Sequence, residues 1–389
     1  MKVIYSIGAS LGGGGIGNTA NFAVREIYKA GILDKVICLE NEQNFIPKEK
    51  VFSFGWTKYL IRYPIRAFQK FIFKNFNSYY VTDNIYDYFA KQKVEKCDIF
   101  HYWKNHGEFS AKKARKLGAK IFVEHASLHP ISHKNAIKKE YIRHGIKDIF
   151  DKKKYFDKYM RELNNADYVV VPRGKAYRSF LENGFPKERL VPVPFGFDLS
   201  KIQIKERNFQ ENKKFIALYV GNVSIAKGVH YLLEAWDSLN LKNAELILVG
   251  PILNEFKSFV KKYQKNNSII FTGFSKPNKY YEKADVFVFP SLAEGSALVT
   301  YEAMAYGLPQ ISTENSGTQI KDGKEGFIVP IKDSGILKER IQYLYNNPKI
   351  REKMSKNAVN LVKKYPWENY GIELIKAYKK ALGGKTSLR

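Results

Sequence analysis

Cysteine is nearly absent from this 389-residue chain, with Cys38 and Cys97 its only two. Two cannot build a disulfide framework or a thiolate zinc site, which excludes small cross-linked secreted scaffolds and zinc fingers. Long apolar runs are missing too, and no stretch approaches the ~20 residues of a membrane-spanning helix. The opening Met1-Lys-Val-Ile-Tyr-Ser-Ile-Gly8 starts a strand and is too short for a signal peptide, so a cytoplasmic protein is expected. Acids are scarce: 38 Asp and Glu stand against 65 Lys and Arg, a net charge of +27. The excess runs through both halves, 35 against 20 over residues 1–200 and 30 against 18 over 201–389, so it is no basic tail. Such charge suits nucleic acid, an anionic membrane or phosphorylated substrates, and equally a lysine-rich proteome. No helix-turn-helix, zinc-finger or RNA-binding signature accompanies it, which argues against nucleic acid.

What the chain has is apolar content of 44%, ample for globular folding, and a length that suggests two domains. Its most informative stretch begins at Ala284-Asp-Val-Phe-Val-Phe289, which reads as a buried strand. The loop Pro290-Ser-Leu-Ala-Glu294-Gly295-Ser296-Ala297 follows, then a helix from Leu298 to Tyr306 stopped by Gly307 and Pro309. Glu294 thus lies at the carboxyl end of a strand, where open α/β sheets bind ligands. Glu302 falls seven residues beyond it, inside the helix. Gly295 and Ser296 allow close backbone approach, and the helix opening offers amides suited to phosphate. Ionised carboxylates accept hydrogen bonds from sugar hydroxyls. Taken alone, two spaced glutamates equally describe a solvated helix residue and a loop charge.

In its full context, EGSALVTYEAMAYGLP, the stretch resembles the E-x7-E signature of the retaining GT-B glycosyltransferases of family GT4. The resemblance implies that Glu294 contacts the donor sugar and Glu302 the ribose of the nucleotide. It covers nearly all of the chain and is densest from Asp167 to Pro330. It implies a GT-B fold, α/β with two doubly wound Rossmann-like domains facing a cleft. The N-terminal, acceptor-side domain would span 1–200 and be completed by the C-terminal helix at 366–389. The nucleotide-sugar domain would span 201–365, with 199–212 as linker.

The N-terminus offers a strand at Lys2–Ile7, a glycine loop Gly8–Gly17 and a helix from about Asn18 to Ala30. Gly12, Gly14 and Gly17, with Glu40 about twenty residues on, also match a dinucleotide fingerprint, so a nicotinamide or flavin enzyme is a rival. Gly13, Gly14 and Gly15 are the candidate cradle for donor phosphates. His125 follows the strand Lys120–Glu124, at the place where the family has a histidine contacting the donor sugar; His101, His129 and His133 are further candidates. Gly221-Asn222-Val-Ser-Ile-Ala-Lys227-Gly228 resembles the family's G-R-x4-K-G, whose Arg and Lys clamp the diphosphate. Lys227 matches, but neutral Asn222 replaces the Arg, removing a charge-assisted contact worth ~1.5–3 kcal/mol unless another cation, such as Arg173, supplies it. Gln319 stands where the family usually has Glu.

Residues 51–80 read differently. Lys58, Arg62, Arg66, Lys70 and Lys74 recur every fourth residue among aromatics, and no acid occurs between Glu49 and Asp83. A basic amphipathic segment of this kind suits an anionic membrane surface or the acceptor side, and also an ordinary helix with a solvated basic face.

The expected reaction is transfer of a sugar, with retention, from a nucleoside-diphosphate sugar to an acceptor hydroxyl, with a lipid-linked or cell-surface glycan precursor favoured. Glu294, His125 and Lys227 would carry it. Gly13, Gly14, Gly15, Gly221, Asn222, Lys227, Gly295, Ser296, Ala297, Leu298 and Glu302 would hold the donor. No cofactor and no metal are expected, since nothing supplies a DxD-like clamp. A sugar-nucleotide epimerase or hydrolase, and a donor-binding protein with little catalysis, are the alternatives.

Overall fold

The computed structural model of the chain describes residues 1–55, 78–146, 153–202, 207, 209 and 214–384. The five basic residues Lys58, Arg62, Arg66, Lys70 and Lys74, and most of the expected linker, lie outside them.

The first half opens with β1 (Val3–Leu11), α1 (Ile16–Lys29), β2 (Leu33–Asn41) and β3 (Val51–Ser53). It continues through α2 (Ser78–Lys93), β4 (Ile99–Trp103), α3 (Glu108–Lys116) and β5 (Lys120–Glu124). Then come α4 (Pro130–Arg143), α5 (Lys153–Asn165), β6 (Tyr168–Val171), α6 (Lys175–Glu182) and β7 (Leu190–Pro192). The strands form one parallel sheet in the order β3-β2-β1-β4-β5-β6-β7. The second half alternates β8 (Phe215–Val220), α7 (Val229–Leu239), β9 (Ala244–Val249), α8 (Lys257–Tyr263), β10 (Ile269–Gly273) and α9 (Asn278–Lys283). After these follow β11 (Val286–Phe289), α10 (Leu298–Ala305), β12 (Gln310–Thr313), β13 (Gly326–Val329), α11 (Ser334–Asn346), α12 (Pro348–Val362) and α13 (Trp367–Ala381). Its parallel sheet has the order β10-β9-β8-β11-β12-β13.

Both sheets are doubly wound, and each has a point where strand order reverses: between β1 and β4 in one, between β8 and β11 in the other. Such switch points splay the following loops apart and leave a crevice at the carboxyl ends of the strands. The loops there are Gly12–Gly15 and Lys104–Gly107 on one side, and Gly221–Gly228 and Pro290–Ala297 on the other. The central strands are largely apolar because helices cover both faces; β4 and β11 are buried at every residue.

β1 is longer than its sequence suggests. Gly8 reads as the start of a loop, yet it lies within the strand, where glycine is required because a Cβ would come within 2.5 Å of the His106 ring. The loop shrinks to Gly12–Gly15, with φ of +90° at Gly12 and +61° at Gly15. α13 returns to the first half and packs on α1, where Trp367 stacks on Phe22 with centroids 4.8 Å apart. Gly371 permits this approach, since a Cβ would press into the Glu26 side chain.

Below β5 lies a buried polar cluster that joins this helix to the sheet. Glu124 accepts from Tyr5 Oη (3.0 Å) and from the Tyr370 hydroxyl, and pairs with His101 Nε2 (2.9 Å). His101 Nδ1 in turn meets Tyr378 Oη at 2.6 Å. These partners close the hydrogen-bonding needs of a carboxylate only 1% exposed.

Candidate active site

The loop after β11 is held by the segment that follows β12. Glu294 N donates to Asn315 O (2.8 Å), Ala297 N to Ser316 O (3.1 Å) and Asn315 Nδ2 to Leu292 O (2.7 Å). Gly317, at φ +67°, lies directly on the Gly295 backbone. On its other side Gly295 meets the loop after β5: a Cβ would stand 2.5 Å from Ser127 N and closer still to Ala126 O. The two halves therefore touch backbone to backbone, two residues from His125 and next to Glu294.

The Lys227 ammonium contacts the Glu294 carboxylate across this region. Gly228 makes that possible: it takes φ +66°, and its α-carbon packs against Pro290 O where no side chain fits. Burial draws the Lys227 pKa down to about 8, and the adjacent carboxylate opposes that shift by favouring the charged form. Glu302 on α10 is no solvated helix residue. Its Oε2 accepts from Tyr281 Oη at 2.8 Å, and burial raises its pKa.

His125 is fully buried. Nδ1 accepts from Ser127 N (3.2 Å), so Nε2 carries the proton and donates to Tyr159 Oη (2.6 Å). Burial, together with the nearby Lys104 charge, holds the imidazole neutral, well below its usual pKa. The Tyr159 hydroxyl thus occupies Nε2. Lys104, the first residue after β4, lies 5.0 Å from the Tyr159 ring, and burial lowers its pKa to about 8. His133, near both Lys104 and Lys227, is pushed down to about 4, chiefly by burial. Two cations and two neutral imidazoles thus line this part of the cleft. The sequence offered no signal for Lys104 or Tyr159, whose place depends on strand order and the packing of α5.

The remaining candidates divide. Gly14 and Gly15 are exposed with open space where a side chain would be, so their amides are accessible to a ligand. Gly13 packs on Ser10. Gly221, at φ +146°, sits over Tyr219, whose hydroxyl donates to Asn222 O at 2.8 Å; the Asn222 side chain is exposed. Ser296 is buried with its hydroxyl on Tyr301 Oη (3.2 Å), and Leu298 is half-buried. The amide of Ala297, expected to face a departing anion, is instead spent on Ser316 O. Arg173 does not stand in for the missing arginine, because it donates to Pro192 O (3.2 Å) and faces Glu373 on α13 (3.7 Å). His101 belongs to the Glu124 cluster, and His129 caps α4 by accepting from Ile131 N. Glu40, the would-be ribose ligand of a dinucleotide site, is engaged by Ser10 Oγ at 2.7 Å.

Residues 200–361 match the family model "Glycosyl transferases group 1". Over that stretch, less than half of its length, the chain is similar to the group 1 glycosyltransferases. It is 26% identical over 227 residues to the capsular polysaccharide biosynthesis glycosyltransferase CapM of Staphylococcus aureus, covering 53% of this chain and 60% of that one. It is 25% identical over 315 residues to the alpha-monoglucosyldiacylglycerol synthase of Acholeplasma laidlawii, covering 73% of this chain and 75% of that one. Among solved structures, Anabaena HepE in complex with UDP superimposes with a TM-score of 0.66 at 16% identity, over 98% of this chain and all of that one. TarM, of S. aureus, gives 0.68 at 13% identity over 97% and 99%. These likenesses show that the chain has a GT-B fold.

Proposed function

We propose that this glycosyltransferase moves a sugar, with retention of anomeric configuration, from a nucleoside-diphosphate sugar to an acceptor hydroxyl. The observation that carries this reading is the Lys227–Glu294 contact at the point where Gly295 meets the Ala126–Ser127 backbone. An anion-binding group, a hydroxyl-binding group and His125 from the opposite half meet there. The ion pair holds both side chains in place. A donor diphosphate would take over Lys227, assisted by the amides of Gly14 and Gly15, and release Glu294 to accept from sugar hydroxyls. Charge develops on the departing diphosphate, so fixed cations and dipoles at that position lower the barrier. Glu302 would hold the ribose, and neutral His125, freed from Tyr159, would donate to the sugar near the reacting carbon.

HepE was solved with UDP, which supports a nucleotide-sugar donor. CapM is named for capsular polysaccharide and the Acholeplasma enzyme for a glucosylated diacylglycerol, which supports a cell-surface or lipid-linked acceptor. No helix among the described residues is long and apolar enough to cross a membrane. Access to such an acceptor would come through peripheral contact with the inner leaflet by the basic segment 58–74. We also propose that no divalent metal is needed. Incubation with UDP-, GDP- and ADP-sugars, with and without lipid acceptors, tests the reading: transfer that gives the donor's anomeric configuration supports it. Donor hydrolysis alone would point to the hydrolase alternative, and binding without turnover to a donor-binding protein, which the uncompensated Asn222 favours.

A further inference from the structure

A second constellation joins the two halves away from the Lys227–Glu294 contact. Glu140, on the last turn of α4, is 2% exposed, and His144 caps the same helix one turn on. His230, 6% exposed, reaches the same place from the first turn of α7 in the other half. His144 Nε2 and His230 Nε2 each stand 3.2 Å from Glu140 Oε1, and one donor atom from each residue lies within 4.8 Å of the others. His144 Nε2 is buried and makes no hydrogen bond despite that distance. Ligands at ~2.0–2.1 Å around a tetrahedral zinc ion are separated by about 3.3–3.4 Å, close to both observed spacings.

We propose that Glu140 Oε1, His144 Nε2 and His230 Nε2 form a zinc site that clasps α4 to α7, with water as fourth ligand. Two imidazoles and one carboxylate suit a borderline-soft divalent ion and discriminate against magnesium, which prefers oxygen. The other carboxylate oxygen stays with Lys332 Nζ (3.3 Å), and Tyr231 Oη (2.8 Å) keeps a second lone pair of Oε1. Arg143, 3.7 Å from Oε1, has a side chain 67% exposed and swings into solvent as the ion enters. The ion supplies no chemistry to sugar transfer. It fixes His230, in the first turn of α7 and three residues beyond Lys227, against the opposite half.

The test uses the full chain, stripped with EDTA and dialysed, titrated with Zn²⁺ by calorimetry and with Co²⁺ by absorbance. One ion per chain and an intense tetrahedral Co²⁺ band are expected. His144→Ala should weaken binding by more than about tenfold, since losing even an outer partner of a ligand costs about 10–100-fold. Its thermal midpoint in EDTA should fall only slightly, through lost ring packing on His230 and Phe259, because the lost nitrogen makes no hydrogen bond. Glu140→Gln, which keeps an acceptor for Tyr231, should weaken binding as much and serves if the first variant misfolds. No bound ion in the wild-type chain, or equal affinity in these variants, would overturn the site.

Discussion

Gly295→Ala is the sharpest perturbation of the cleft. Gly295 has no left-handed backbone, so the substitution adds no conformational strain, only one methyl group. That methyl would meet Ser127 N at 2.5 Å and the Ala126 carbonyl closer still, and these are backbone atoms without rotamer freedom. The loop cannot retreat, because Gly317 lies on its other face and Asn315 and Ser316 bond its amides. The remaining escape is for the two halves to part. Overpacking a tight site costs about 1–3 kcal/mol, and three backbone clashes place this one near 3. If the strain falls on closure, the closed population drops about 100-fold, at 1.4 kcal/mol per decade. Donor titration should show weaker binding, kcat/KM should fall by about two decades, and small-angle scattering should show a larger radius. Gly55→Ala, with nothing within 4 Å among the described residues, is the neutral control. Wild-type donor affinity and an unchanged radius in Gly295→Ala would refute closure of the cleft through this contact.

Other perturbations separate the remaining roles. With Lys227 at about 8, its ammonium is complete below that pH and lost above it, so kcat/KM should fall as pH rises through 8. Lys227→Arg, permanently charged, should flatten that limb if it retains activity, and an unchanged limb would assign the titration elsewhere. Glu124→Ala leaves the Tyr5, Tyr370 and His101 partners unmatched and should cost about 3–5 kcal/mol in urea unfolding, a loss under 1 marking the cluster as dispensable. Alanine at Lys58, Arg62, Arg66, Lys70 and Lys74 removes about 5 kcal/mol of attraction to an anionic leaflet before screening, and flotation with anionic liposomes should be lost. Transfer should persist in EDTA; loss restored by Mg²⁺ or Mn²⁺ would contradict metal independence.

The sequence made legible what local chemistry determines. The β11 strand, its loop and α10 follow from Val286–Phe289, from Gly295 and from the stop at Gly307 and Pro309. The Gly221–Gly228 loop is legible from its glycines in the same way. Tertiary packing explains Gly8, which reads as a turn but lies in β1 with the His106 ring where a side chain would be. It also spent groups that looked free in the sequence, such as the Ala297 amide and Arg173. The Glu124 cluster joins residues 119 and 246 positions apart, and the Glu140–His230 pair spans 90, separations at which no local spacing carries a signal.

The central claim is that the crevice between the two switch points holds an activated sugar. A crystal structure with a non-hydrolysable nucleoside-diphosphate sugar tests it most directly. A diphosphate oxygen is expected about 2.8 Å from Lys227 Nζ, near the Gly14 and Gly15 amides, with sugar hydroxyls on Glu294 and ribose on Glu302. Ligand density elsewhere, with the Lys227–Glu294 pair still intact, would contradict it.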